Sequence, residues 1–186
     1  MIKELKIIVK CPSTNEDIVF KLKQHSNNYD WFLIDTRLAS GSSEIWGDIG
    51  DAVKNILEKK QYFENLEFLK FAGGEPLMED QNYQIMEQFI EWDIAKNIVL
   101  DINTNGTILN ERLLNIAKNF KQLKLHISLE GTGQLYQYIR GGDNFTIEQL
   151  EQNILEFNKL PNTQIIYTVT VQIYNIYDIV NIWEWY

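Results

Sequence analysis

Four short clusters carry the side chains that could do chemistry. They are Gly73-Gly74-Glu75-Pro76, Asn103-Thr104-Asn105-Gly106-Thr107, Ser128-Leu129-Glu130-Gly131 and the stretch through Tyr138-Ile139-Arg140. A carboxylate such as Glu75 can accept from an ammonium, and a guanidinium with a hydroxyl, Arg140 with Ser128, can hold a carboxylate in a charge-assisted arrangement. Asp101, His126 and Glu130 add groups that could act as acid, base or metal ligand, yet no activated nucleophile and no H-x-x-x-H or paired-cysteine spacing accompanies them. His126 taken singly is expected to be a hydrogen-bonded interior histidine, because no second histidine or cysteine stands near it.

Strand-to-helix alternation must position these clusters. Strand-like runs at Trp31–Arg37, Leu66–Phe71, Ile98–Asn103, Lys124–Leu129 and Gln164–Ile173 alternate with helix-like runs at Glu44–Lys60, Asp80–Trp92, Asn110–Asn119, Thr146–Asn158 and Ile176–Trp185. Two glycines let the chain turn sharply after the second strand, Asn110 is an N-cap, and Thr146-Ile147-Glu148-Gln149 carries a capping-box pattern. Such alternation implies parallel strands joined by right-handed crossovers. The expected fold is α/β, an incomplete (β/α) barrel of about five parallel units over residues 30–186. An N-terminal β-hairpin over residues 1–29 precedes it, read from the alternating runs Glu4–Lys10 and Asp17–Lys23.

Period-two spacing divides each strand into faces. Asp35 and Arg37, then Asp101, Asn103 and Asn105, then His126, Ser128 and Glu130, then Thr168, Thr170 and Gln172 fall on one side. Phe32, Ile34, Leu100, Ile102, Leu125, Ile127, Val169 and Val171 fall on the other, where helices would cover them. A buried parallel sheet is ordinarily apolar on both faces, so the polar set calls for a wet cavity near the carboxyl ends of the strands.

Composition bounds the partners. The chain of 186 residues is 45% apolar and 12% aromatic, enough for one sizeable core, and its 26 acidic against 17 basic residues give a net charge of −9. That excess argues against nucleic acid or an anionic membrane as principal partner. Lys118, Lys121 and Lys124 are read as cations complementing a predicted helix end. No apolar run approaches the roughly 18 residues of a membrane span and no signal-peptide core is evident, so a cytoplasmic location is expected. Cys11, beside Pro12, is the single cysteine and reads as an incidental thiol.

Taken in order, Phe-Ala-Gly-Gly-Glu-Pro-Leu-Met, Asn-Thr-Asn-Gly-Thr, Ile-Ser-Leu-Glu-Gly, Tyr138-Ile139-Arg140 and Thr170-Val171-Gln172-Ile173-Tyr174-Asn175 resemble the strand-end motifs of the radical S-adenosylmethionine (radical SAM) family. The likeness is to its twitch or SPASM-type branch and runs from about Phe32 to Trp185. The resemblance implies that Gly73, Gly74 and Glu75, with Pro76 behind them, contact the amino group of the cofactor's methionine moiety. It implies that Ser128 and Arg140 steady the carboxylate and ribose side, with Asn103, Asn105, Glu130 and Gln172 lining the same cavity. Glu130 stands where the family has an aspartate. The family's C-x-x-x-C-x-x-C loop after the first strand is missing: Ile34-Asp35-Thr36-Arg37-Leu38 runs into Ala39-Ser40-Gly41-Ser42-Ser43-Glu44-Ile45-Trp46 without cysteine. Three thiolates hold such a cluster, so no [4Fe–4S] cluster and no reductive cleavage of S-adenosylmethionine are expected of this chain.

The expectation is therefore a radical-SAM-like pseudoenzyme with a small-molecule cavity for S-adenosylmethionine, a nucleoside or another amino-acid-like ligand. The alternative is a non-catalytic interaction or scaffold protein working with a protein partner or as a homo-oligomer. An open edge after the fifth strand and the aromatic run Ile182-Trp183-Glu184-Trp185-Tyr186 motivate it, although Trp183 is expected to pack intramolecularly.

Overall fold

The computed structural model describes residues 3–10, 17–24, 30–35, 60, 63–72, 74–141 and 144–185. Strands β1 (Lys3–Lys10), β2 (Asp17–Gln24), β3 (Asp30–Asp35), β4 (Leu66–Ala72), β5 (Val99–Thr104), β6 (Gln122–Ser128) and β7 (Thr163–Thr168) form one sheet in sequential order. β1, β2 and β3 pair antiparallel, and β3 through β7 pair parallel. Helices α1 (Asp80–Glu91), α2 (Glu111–Ala117), α3 (Gly133–Tyr136), α4 (Ile147–Phe157) and α5 (Ile179–Trp185) lie between or after the later strands. This is an α/β architecture in which a parallel sheet alternates with helices, consistent with a partial (β/α) barrel.

Local chemistry fixes these boundaries. Asn110 caps α2 by accepting from Leu113 N at 2.8 Å. α4 opens on a reciprocal capping box, with Thr146 N donating to Gln149 Oε1 at 2.8 Å and Gln149 N donating to Thr146 Oγ1 at 3.4 Å. Each such cap contributes on the order of 1 kcal/mol. α3 does not stop at Tyr136 but widens into a π-helical stretch, Gln137–Gly141, which the sequence periodicity does not announce.

One face of the sheet is apolar and carries the core. Leu69 and Phe71, Leu100 and Ile102, Leu123, Leu125 and Ile127 are buried there with Leu113, Leu150, Ile154 and Phe157 of the helices. Phe63, Phe89 and Trp92 close one end as a ring cluster with centroids 5.3 to 6.0 Å apart. β6 shows the logic plainly, since buried and half-buried residues alternate along its whole length. Burying each Leu, Ile or Phe stabilises by about 1.5–3 kcal/mol, so this face orients the strands and leaves the other face to polar residues.

Three expectations change. The fifth strand ends at Thr168 rather than Ile173, and α5 starts at Ile179 rather than Ile176. The cause is Asn175, which is fully buried and wraps the chain around itself: its Oδ1 accepts from Gln172 N at 2.7 Å and its Nδ2 donates to Thr170 O at 2.9 Å. The fourth parallel strand starts at Gln122 rather than Lys124, so Lys124 stands within β6, in the run predicted as strand, rather than beside a helix end. The predicted helix Glu44–Lys60 apart from Lys60, the Ala39–Trp46 loop, Arg37, Gly73 and Cys11 lie outside the described residues.

Candidate functional site

The carboxyl ends of β4 and β5 are tied together by Glu75. Its Oε1 accepts from Thr104 Oγ1 at 2.7 Å and from Leu77 N at 3.3 Å, and its Oε2 accepts from Asn105 N at 2.7 Å. The carboxylate is thus a brace between two strand-end loops. Pro76 opens the following 3-10 turn, and its carbonyl accepts from the buried Asn82 at 2.8 Å. Gly74 is exposed with φ +52°, a left-handed conformation that suits glycine.

Behind this brace the Asn105 side chain is also committed, accepting from Thr107 N and Thr107 Oγ1 at 2.8 and 2.7 Å. Gly106 has φ +76°, and a Cβ there would lie 2.5 Å from Leu150 Cδ1 and 3.2 Å from Ile127 Cγ2. Only glycine lets the loop press so closely onto α4. The Asn103 side chain lies on the open face, exposed.

After β6, Glu130 is buried at 2% exposure and holds Arg140 in a fork, with Nη2 donating to Oε1 at 2.7 Å and Nε donating to Oε2. The π-helical stretch carries Arg140 into this position. Its hydrogen bonds to Glu130 hold the guanidinium pKa above the ordinary value, and the Glu75 carboxylate adds to the effect from across the loop cluster. Tyr136, buried beside the fork, has its phenol pushed up by burial first, with Arg140 opposing and Glu130 assisting. Arg140 pairs with Glu130 where the sequence suggested a partnership with Ser128. Ser128 is half-buried on the open face, and its hydroxyl bonds no described side chain.

Deeper on that face, Lys70 of β4 donates to Asp101 Oδ1 at 2.6 Å, and Asp101 Oδ2 lies 3.1 Å from His126 Nε2. Asp101 is buried, while Lys70 and His126 are half-buried. Sequence reading found Asp101 and His126 but missed Lys70. Alternation was the available signal for Lys70, which stands between the buried Leu69 and Phe71 and therefore faces the other way. Among the described residues no group of three His, Cys, Asp or Glu side chains is placed to hold a metal ion.

Gln172 does not reach the open face. It lies exposed in the turn after β7, its backbone N–H bound by Asn175. Trp183 is 77% exposed, contrary to the expected internal packing; Trp185 takes that role, edge-on to Tyr167 at 5.7 Å and donating to Glu151 at 2.6 Å.

Three groups could meet a ligand at the strand ends: the Gly74 backbone, Ser128 Oγ, and the Nη1 hydrogens of Arg140 that the Glu130 fork leaves over. A [4Fe–4S] cluster of the radical SAM kind does not fit this donor set, since the chain has one cysteine where three thiolates are taken. No helix among the described residues is long and apolar enough to cross a membrane.

Fold and site together define a parallel α/β domain of partial-barrel build with a braced polar cluster at its strand ends. No protein-family model matches the chain, and no curated protein matches it. Among solved structures it is similar to that of Streptococcus suis SuiB bound to precursor peptide SuiA. The match has a TM-score of 0.47 at 17% identity and covers 71% of this chain and 29% of that one. The chain thus spans less than a third of that protein's length.

Proposed function

We propose that the chain is a radical-SAM-like binding domain that works without a [4Fe–4S] cluster, a pseudoenzyme whose strand-end cavity takes S-adenosylmethionine, a nucleoside or another amino-acid-like ligand. The observation that supports this reading is that the loops after β4 and β6 each hold fixed charges at the same end of the sheet: Glu75, bound to the β5 loop, and the Glu130–Arg140 fork. A guanidinium fixed by a buried carboxylate keeps a constant aim, which lowers the cost of ordering it around a ligand carboxylate.

Calorimetry with S-adenosylmethionine and S-adenosylhomocysteine tests it on the native chain, Arg140→Lys and Ser128→Ala. Saturable binding weakened at least about tenfold by Arg140→Lys is expected, the size of one charge-assisted hydrogen bond. No heat, or heat that neither variant alters, rejects the cavity. Anaerobic iron–sulfur reconstitution addresses the other half: a reducible cluster in the spectrum would overturn the cluster-free reading.

A second reading rests on a separate observation. β7 ends the sheet, and Val171, Ile173, Tyr174, Tyr177 and Trp183 are more than half exposed beside it. Exposed apolar side chains gathered in this stretch suit a protein partner. Sedimentation at micromolar concentration separates the readings, since a strictly monomeric, partner-free chain counts against an interaction protein.

A further inference from the structure

Asp101 has an amine-bearing neighbour on each side. Lys70 of β4 and Lys124 of β6 are its register partners, and His126 lies one step along β6 on the same face. Adjacent strands are about 4.8 Å apart, so the three basic side chains surround one carboxylate within a small patch. Asp101 can satisfy two of them, with Oδ1 accepting from Lys70 at 2.6 Å and Oδ2 facing His126 at 3.1 Å. Lys124, half-buried on this face, has no hydrogen-bond or ion-pair partner among the described residues.

A structural ion-pair network explains Lys70 and His126, but it leaves Lys124 over. Two ammonium groups against one carboxylate make the patch positive even with a neutral imidazole, in a chain whose net charge is −9. Lys124 Nζ is not buried, since among the described residues Thr163 Oγ1 is the buried side-chain polar atom without a partner, so this ammonium reaches water and stays open to an incoming anion. Lys70 keeps two N–H donors and His126 keeps Nδ1, while Asn103, the register partner of His126, supplies a neutral amide at the rim. Asp35 stands in register with Ala72 at the end of β3, on the far side of Lys70 from Lys124.

We infer that Lys70, Lys124 and His126, arrayed around Asp101 on the open sheet face, form a binding site for a small anionic group, a carboxylate or a phosphate. Asp101 is the positioning residue: it fixes the ammonium of Lys70 and the ring of His126 and leaves Lys124 to meet the incoming charge. The site lies within the sheet rather than at its strand ends and does not involve Arg140, so it stands whichever ligand the strand-end cluster takes.

The experiment is an NMR titration of the full chain with inorganic phosphate and, separately, acetate, each at ionic strength held constant with chloride. The His126 imidazole resonance, assigned by its loss in His126→Gln, is the readout. A saturable shift with one anion is expected, and which anion gives it distinguishes the two sources. Lys124→Gln should weaken binding about tenfold, the loss of one charge-assisted contact, with an unchanged circular dichroism spectrum because Asp101 keeps both partners. Lys70→Gln should weaken it as well. Absence of a saturable shift with both anions, or a shift that Lys124→Gln leaves at native strength, overturns the proposal.

Discussion

Removing Arg140 strands the Glu130 carboxylate in a pocket where its side chain is only 3% exposed. Breaking a buried pair from one side costs about 3–5 kcal/mol, because the remaining charge loses its partner without regaining water. A third of the Arg140 side chain is accessible, so solvent already screens the pair, and the lower end, about 3 kcal/mol, is the expectation for Arg140→Ala. Glu130→Ala leaves a cation that reaches water and should cost less, about 1–2 kcal/mol. The double variant should fall short of the sum by about 2 kcal/mol, since once both partners are gone no uncompensated charge remains. Urea denaturation with a common m-value measures all three, and against a total stability of about 5–15 kcal/mol these shifts are large. Strict additivity, or an Arg140→Ala cost below about 0.5 kcal/mol, would refute the claim that the fork is a coupled, desolvated unit. The same measurement shows whether ligand affinity lost in Arg140 variants reflects a missing contact or a loosened loop.

Gly106→Ala should destabilise by about 2–4 kcal/mol, combining a left-handed backbone with overpacking onto Leu150, as read from thermal or urea midpoints. Asn175→Ala exposes two backbone groups of the turn after β7 and should cost about 2–4 kcal/mol, with limited proteolysis appearing first between Thr170 and Asp178. The Arg112 hydrogen bonds hold the Glu87 pKa below the ordinary glutamate value. A depressed folded-state pKa contributes stability above the unfolded value and loses it as pH falls through the folded one. Arg112→Gln should therefore flatten the acid limb of the stability profile slightly, the effect being small because both side chains are more than a third exposed.

Much of the framework was legible because it rests on local signals. β4, β5 and β6 and helices α1, α2 and α4 begin and end within about two residues of where periodicity and caps put them, an ordinary margin. The division of β5 and β6 into an apolar and a polar face followed from period two alone. What failed to read was non-local. The early end of β7 is imposed by one buried amide that folds the chain back, and the same residue taken as a strand-end polar group, Asn175, is the cause. Glu75 and Asn105 have the types and places of ligand contacts, and what the sequence did not show is that the Glu75 carboxylate and the Asn105 Oδ1 bond within the loops. Lys70 and Lys124 escaped notice for opposite reasons. Lys70 lay in a run read only as strand, with no face assigned to it, and the charge of Lys124 was credited to a helix terminus that lies further back in the chain.

The wide turn that carries Arg140 has a consequence for sequence change. A π-helical turn holds one residue more than an α-helical one, so deleting a single residue within Gln137–Gly141 would let the backbone relax to the commoner winding. Four residues would then cover nearly the rotation that five cover now, so the flanking chain would keep its direction while side chains within the turn shift by a place. Arg140 would leave Glu130 without any change in its own identity, so the aim of this side chain is written in a residue count that composition-preserving drift leaves untouched and a one-codon loss erases.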